Sequence, residues 1–173
     1  MTRPPRGVVP VPPGPGQESA WDYPRPPRVD ASQERVVVEL GGVVVADSHR
    51  ALRVLETSHP PTYYLPVDDF APGALTPAAG TSWCEWKGAA AYLDVVGGTP
   101  ERPVVAEAAA WTYPQPAPAY AVLAGHVALY PGRMDRCTVD GEQVEAQEGG
   151  FYGGWVTSRV VGPFKGEPGT QGW

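Results

Sequence analysis

The sequence predicts a single small domain that is mainly β, with antiparallel strands and two short helices. Three observations support this prediction. Valine-rich runs flank the Gly41-Gly42 pair, turn signals such as PGR and DG separate short apolar segments, and helix–strand alternation of the parallel α/β kind is absent. A chain of 173 residues is long enough for one domain with a modest core.

The N-terminal part differs in composition from the rest. Residues 1–18 are rich in Pro and Gly and have few side chains able to build a core, so we expect disorder or an extended arm. The strip that follows, ESAWDYPRPPR, holds Trp21 and Tyr23 between prolines that keep the backbone extended. We expect this strip to wrap the surface of a single domain formed by residues 19–173.

The first regular elements follow the strip. The stretch RVVVELGGVVVADS predicts a hairpin, because a Gly-Gly pair suits a turn with positive φ at both central positions. The stretch SHRALRVLETS, residues 48–58, predicts a short helix with Ser48 as N-cap, two leucines on its buried stripe and an i,i+3 pair of Arg53 with Glu56. A double proline ends the helix, and TYYLP then predicts a strand.

The rest of the chain is mostly strand in pattern. The segments SWCEWKG, AAAYLDVV and VVAEAAAWTY are strand candidates, and PAPAYAVLAGH predicts a second short helix beginning near Pro118. Further strands are expected around the PGR and DG turns. The glycine-rich tail carries Phe151, Tyr152, Trp155 and Phe164, and rings of that size bury so much area that we expect the tail to pack.

Composition and charge exclude several classes of function. The net charge of −6 and the pI near 5.0 argue against a nucleic-acid partner, and the chain has no polybasic segment for an anionic membrane surface. No apolar run is long enough for a signal peptide or a membrane span, so we expect a soluble, cytoplasmic protein. Two cysteines and three histidines have no metal-binding spacing, and no cofactor motif is present, so we predict neither metal nor cofactor.

The two lysines stand out against this composition. Of 13 basic residues only Lys87 and Lys165 are lysines, and they occupy matching Trp-Lys-Gly and Phe-Lys-Gly settings. Lysine and arginine differ in shape, hydration and titration. Either these positions need a property that arginine lacks, or two lysines survive by chance.

Several segments together resemble a known family. The succession WDYPRPP, ADSHRALRVLETSHPPTYYLP, SWCEWKGAAAY, AAWTYPQP, HVALYPGRMD and GGFYGGWVTSRVVGPFKG resembles bacterial members of domain of unknown function 427, over residues 19–173. Such proteins are sometimes labelled nucleotidyltransferase-like, but no glycine-rich phosphate loop with metal-binding carboxylates is visible here. The resemblance implies a β-tent-like fold. Other β-tent domains cage small cyclic ligands between aromatic side chains, many with a structural zinc for which this chain lacks the cysteines.

The stretch TSWCEWKG, residues 81–88, is the first candidate site. In a regular strand Trp83, Glu85 and Lys87 share one face, and Cys84 lies on the other with its neighbouring tryptophan. Lys87 then either binds a ligand carboxylate or phosphate, acts as a base, or forms a surface ion pair with Glu85. Cys84 is either an inert buried thiol or a nucleophile, and the sequence leaves this open.

Two further segments supply candidate walls. Trp111 and Tyr113 share a strand face, while Tyr63 and Tyr64 lie on opposite faces, so that one of them is expected in a cavity and the other in the core. At the end of the predicted helix a glutamate and a histidine make a candidate acid–base pair. The alternative is that all these rings only fill the core.

We therefore predict a protein that binds a small organic molecule in an aromatic-lined pocket with Lys87 as polar anchor, and we leave open whether it also transforms that molecule. Whether it is an enzyme stays open. The alternative is a structural or interaction module that forms a homodimer through its aromatic N- and C-terminal segments. The candidate catalytic residues are Lys87, Glu56 and His59, and the predicted ligand-binding residues are Arg53, Tyr63, Tyr64, Trp83, Lys87, Trp111 and Tyr113.

Overall fold

The computed structural model describes residues 3–173, and the first two residues of the predicted leader lie outside this range. Fifteen strands, most of them short, are joined by turns and four 3₁₀ segments. The strands are β1 Glu18–Ser19, β2 Arg28–Ala31, β3 Val36–Leu40, β4 Val43–Ser48, β5 Leu52–Leu55, β6 Thr62–Pro66, β7 Leu75–Cys84, β8 Gly88–Thr99, β9 Arg102–Thr112, β10 His126–Leu129, β11 Arg136–Val139, β12 Glu142–Gln143, β13 Glu145–Ala146, β14 Trp155–Val156 and β15 Val160–Val161. The 3₁₀ segments are Ala20–Asp22, Val67–Asp69, Pro118–Leu123 and Pro131–Arg133.

The strands form two main sheets, in which all pairings are antiparallel. One sheet has seven strands in the order β2-β5-β6-β10-β9-β8-β7, and the other has four in the order β12-β11-β3-β4. Two small pairs, β1 with β15 and β13 with β14, attach the ends of the chain. The predicted class, mainly β and antiparallel, is confirmed.

The core lies on both faces of the seven-stranded sheet. One cluster joins this sheet to the four-stranded sheet and includes Val38, Tyr63 and Val127. A second cluster covers the opposite face and includes Val54, Tyr64 and the short 3₁₀ segment at Leu123. Because successive side chains of a strand point to opposite faces, adjacent Tyr63 and Tyr64 enter different clusters. Strands that are buried on both faces show no regular alternation of apolar and polar residues in the sequence.

The predicted hairpin is present as β3 and β4. Gly41 and Gly42 form its turn with φ of 63° and 77°, in the left-handed region that favours glycine. A Cβ at Gly41 would overlap the backbone of Gly98, so this turn also lies directly against the β8–β9 hairpin. TYYLP is strand β6, as predicted.

The predicted helix over 48–58 is wrong. The segment contains the end of β4, the whole of β5 and the turn that follows it. All four residues of β5 are buried because both faces of this strand are covered, and two leucines three residues apart then imitate a helical stripe. Ser48 caps no helix but donates to Asp69 Oδ2 at 2.6 Å.

The second predicted helix is present as the 3₁₀ segment Pro118–Leu123, with a non-helical break at Tyr120. The N-terminal strip and the C-terminal tail pack against each other. The Trp21 indole donates to the Pro163 carbonyl at 2.9 Å and lies edge-on to Trp173 at 5.4 Å. Across residues 3–173, no helix has the length and apolar character needed to cross a membrane.

Candidate functional site

The stretch 81–88 is a hairpin end and not a continuous strand, so the predicted alternation of faces through Lys87 is wrong. Strand β7 ends at Cys84, which pairs with Gly88 at the start of β8. Residues 85–87 form the turn, and Gly88 has a φ of 101°. The turn places Lys87 inward, where 8 % of the residue is exposed, whereas Trp83 is 77 % exposed.

The hairpin end borders a cavity of about 530 Å³. Strand β6 and the turn before it form a second wall, strand β9 and the residue after β10 form a third, and the C-terminal segment closes the remaining side. Aromatic rings dominate the lining. They are Tyr64, Trp83, Trp86, Tyr92, Trp111, Tyr113, Tyr130, Phe151 and Tyr152.

Lys87 lies in this cavity without an acidic partner. Its Nζ atom is 5.7 Å from the centroid of the Tyr113 ring, and it makes no ion pair or hydrogen bond with any residue in the range 3–173. The backbone carbonyl of Lys87 accepts from Ala117 N at 2.9 Å, which holds the turn in place. The Nζ atom is not among the fully buried side-chain nitrogens that lack a partner, so it is accessible from the cavity, where the Tyr113 ring face offers a cation–π contact.

The wall beside Lys87 consists of interlocked rings. Trp111 Nε1 donates to the Tyr64 hydroxyl at 3.2 Å, and the Trp111 ring packs against Tyr130 at 4.7 Å. Burial raises the pKa of both Tyr64 and Tyr113 well above the usual range, so both stay neutral phenols. Gly153 backs this wall, because a Cβ there would overlap Cη2 of Trp111.

The C-terminal side of the cavity is polar. His59 Nδ1 lies 3.0 Å from Nε2 of the buried Gln147, and the His59 ring lies edge-on to Tyr152 at 5.1 Å. Burial lowers the pKa of His59 to about 4, so its imidazole is neutral at neutral pH. Lys165 also lines this side, and its Nζ donates to the backbone oxygen of Trp173 at 2.8 Å.

Two acidic residues line the cavity, and only one of them has a partner. Glu56 Oε1 accepts from Arg25 Nε at 3.1 Å. Glu85 also lines the cavity, is exposed on the turn and makes no ion pair with any residue that the structure describes. Within the same described range, no three His, Cys, Asp or Glu side chains are grouped to hold a metal ion.

A comparison with known protein families shows to which family the chain belongs. The profile of the family described as a domain of unknown function, DUF427, matches residues 28–140, which is more than half of the sequence. The chain belongs to this family. No curated protein matches it.

The DUF427 match covers only part of the cavity. Lys87, His59 and the Tyr64–Trp111 wall lie within residues 28–140, whereas the wall formed by Gln147, Tyr152 and Lys165 comes from the tail beyond it. The resemblance recognised over 19–173 is therefore shown for its central segment.

Two of the predicted ligand-binding residues lie away from the cavity of this DUF427 chain. Arg53 is 4 % exposed and forms an ion pair with Glu18 at 2.8 Å, on the face of β5 opposite to Val54, which does line the cavity. Tyr63 belongs to the main core, where its ring packs against Trp155 at 5.1 Å. The position of Arg53 follows from strand parity once the helix is replaced by β5, and Tyr63 is the one of the two adjacent tyrosines that enters the core, as the alternation along β6 requires.

The two cysteines of the DUF427 chain occupy different environments. Cys84 is half-buried and lines the cavity next to the Lys87 turn. Cys137 is buried in the core, where desolvation raises its pKa to about 12.

Sequence reasoning missed the C-terminal wall of the cavity. It singled out Lys165 for its rarity but assigned it no place, and it did not select Gln147, Tyr130 or Tyr152. The available signal was the Gly153-Gly154 pair, since neither position has room for a Cβ between the tail and the cavity walls.

Proposed function

We propose that this protein binds a small organic molecule with a flat apolar body and an anionic group, and that Lys87 is the polar anchor. One observation carries the proposal: Lys87, which is 8 % exposed, lies in a ring-lined cavity and forms no ion pair with Glu85, which lines the same cavity, or with any other residue in the range 3–173. A carboxylate or phosphate on the ligand supplies the missing counter-charge through a charge-assisted hydrogen bond.

The size and chemistry of the cavity support a compact ligand. Its volume of about 530 Å³ is within the range of small-molecule sites, which combine apolar walls with a few polar groups. The Tyr64, Trp111 and Tyr113 rings offer flat surfaces, and their hydroxyl and indole groups are largely engaged with one another. An aromatic or conjugated body therefore suits these walls better than a polyhydroxylated one.

A matched pair of probes tests the anchor. We expect 2-naphthoate to bind more tightly than the neutral, nearly isosteric 2-naphthamide, by about tenfold or more, since hydrogen bonds to charged groups contribute about 1.5–3 kcal/mol. Lys87→Met removes the charge and keeps a side chain of similar length, so the preference for the carboxylate should fall to near one. Isothermal titration calorimetry measures both affinities.

The control variant is Arg136→Met. It changes the net charge by the same amount from an exposed position on β11, in the other sheet. It should leave the preference for 2-naphthoate intact. An equal preference in Lys87→Met and wild type, or the same loss in both variants, would show that Lys87 is not the anchor.

The alternative, a homodimer through the aromatic terminal segments, has less support. Trp21 and Trp155 are 5 % and 0 % exposed, so these rings are occupied within the chain. Phe151 is the exception at 78 % exposed, but it lies at the edge of the cavity.

The net charge of −6 favours a protein without a nucleic-acid partner, and a cytoplasmic location stays a prediction.

A further inference from the structure

The cavity has a second polar end, whose chemistry is fixed by a side chain that the sequence did not reveal. Gln147 is 5 % exposed, and its Oε1 accepts from Gly154 N at 3.2 Å while its Nε2 donates to the Lys165 carbonyl at 2.6 Å. Both contacts orient the amide in the same way. Its NH₂ group therefore faces His59, and a group that only donates requires an acceptor at Nδ1.

This orientation fixes the tautomer of His59. Because Nδ1 accepts, the proton of the neutral ring resides on Nε2, which becomes a hydrogen-bond donor. No residue of the described range 3–173 accepts from Nε2, although His59 lines the cavity. The ring is held on another side by Tyr152, so its position is set before any ligand arrives.

A lysine lies at the same end of the cavity. Lys165 Nζ is 6.0 Å from the centroid of the Tyr152 ring and donates one hydrogen bond, to the Trp173 backbone oxygen, while Glu56 is paired with Arg25. Both lysines of a chain with a net charge of −6 thus line one cavity.

The two polar ends come from separate parts of the sheet. His59 is in the turn between β5 and β6, and Lys87 is in the turn between β7 and β8. Strands β6, β10 and β9 lie between β5 and β8 in the sheet order, and β6 and β9 carry the rings Tyr64 and Trp111 between the two ends. A ligand that contacts both ends is elongated, flat in the middle and polar at each end.

We propose that the ligand is such a two-ended anion: an aromatic or conjugated carboxylate with a second acceptor group, preferably also anionic, at its far end. The first group pairs with Lys87, and the second accepts from His59 Nε2 next to Lys165. This proposal rests on the proposed function, since it assumes that Lys87 holds the first anionic group.

Three pairs of probes of increasing length test the His59 end of the cavity separately from the Lys87 end. Benzoate, 2-naphthoate and biphenyl-4-carboxylate are compared with terephthalate, naphthalene-2,6-dicarboxylate and biphenyl-4,4′-dicarboxylate. In wild type, at least one dicarboxylate whose length matches the span should bind about tenfold more tightly than its monocarboxylate partner, as expected for a hydrogen bond to a charged acceptor. Equal affinities in all three pairs would overturn the proposal.

Two variants identify the residues responsible. His59→Phe removes the donor, and Lys165→Met removes the charge while leaving the cavity-facing backbone contact of residue 165 with Gln147 available. Each should reduce the gain from the second carboxylate, and neither should alter the preference of 2-naphthoate over 2-naphthamide. Arg136→Met again serves as the charge control. If His59→Phe does not fold because Gln147 loses an acceptor, Lys165→Met alone decides the result.

The two proposals fail in different ways. If the gain from a second carboxylate persists unchanged in the variants, or is absent in wild type, while Lys87 still selects the monocarboxylate over the amide, only the two-ended ligand is wrong. If Lys87 selects no carboxylate at all, the proposed function is wrong, and the two-ended ligand is wrong with it.

Discussion

The close approach of the tail to the ring wall makes Gly153 a sensitive position. In Gly153→Ala the new Cβ would overlap Cη2 of Trp111 and lie 3.2 Å from Cζ2 and Cζ3, inside the normal carbon–carbon contact distance of about 3.5–4.0 Å. The indole cannot rotate away freely, because it donates to the Tyr64 hydroxyl and packs against Tyr130. Either the tail or the wall must therefore move.

The size of the effect follows from these contacts. Overpacking a filled site costs about 1–3 kcal/mol, and weakening the hydrogen bond between Trp111 and the fully buried Tyr64 adds about 1 kcal/mol. We therefore expect Gly153→Ala to lower the free energy of unfolding by about 2–4 kcal/mol. For a chain of this size, that corresponds to a decrease in Tm of about 5–15 °C.

Calorimetry or circular dichroism measures the change against a matched control. Gly172→Ala adds the same methyl group where nothing lies within 4 Å and where φ is outside the left-handed region, so its Tm should stay near that of wild type. The same substitution is also made in a Trp111→Phe variant, to test whether the indole causes the effect. Trp111→Phe removes the atom that the methyl group would overlap, so Gly153→Ala should cost less there.

Two outcomes would refute this account of the wall. One is a Tm for Gly153→Ala that is no lower than that of Gly172→Ala. The other is an equal cost of Gly153→Ala in the wild-type and Trp111→Phe backgrounds, which would show that the methyl group and the indole do not compete for space.

Three further predictions concern titration and thiol reactivity. Burial holds the pKa of His59 at about 4, against 6.5 in the unfolded chain. Between these pH values the unfolded state binds more protons than the native state. Acidification from pH 6.5 to 4 should therefore lower the free energy of unfolding by up to about 3 kcal/mol. Urea titrations should show this slope in wild type and a flatter one in His59→Gln. Burial alone would raise the pKa of Glu18, but the hydrogen bonds from Arg53 and Tyr23 and the charges of Arg53 and Arg159 together outweigh it and hold the pKa at about 2, so a further loss of stability is expected from pH 4.5 to 2. In the native protein iodoacetamide should modify Cys84 before Cys137, whose pKa burial raises to about 12. Peptide mass spectrometry that finds Cys137 modified first would contradict the described core.

The elements that the sequence predicted correctly are those specified by local chemistry. Gly41-Gly42 marks a turn whatever surrounds it, because few other residues adopt positive φ at two successive positions. TYYLP is a strand because β-branched and aromatic residues stand between prolines. The fold class followed from several such segments together.

The errors arose where tertiary burial overrides local pattern. Strand β5 is covered on both faces, by the N-terminal ion pair of Glu18 with Arg53 and by the ring cluster, so its sequence shows no alternation. The turn at 85–87 contains no Gly or Pro pair, and only Gly88 marks it. The first error concerns the type of element and the second the point at which a strand ends, and each changes the face on which a side chain lies.

The candidate site was predictable on one side only. Lys87, Trp111 and Tyr113 could be selected because they are unusual in composition or lie close together in the chain. The contact of His59 with Gln147 spans 88 positions, and no property of either residue alone indicates the other. Long-range pairings of this kind depend on the whole topology, which the sequence pattern did not specify.

The placement of the two lysines also bears on why they are not arginines. Lys87 is in a tight turn with its Nζ 5.7 Å from the centroid of the Tyr113 ring, and lysine presents there a compact charge on a flexible stem where arginine would present a planar fork with five donors. Lys165 comes from the tail, outside the segment that matches the DUF427 profile, yet it lines the same cavity over Tyr152. Both lysines thus line one cavity, each with its Nζ near a tyrosine ring, and the proposed anionic ligand would account for the two positions together.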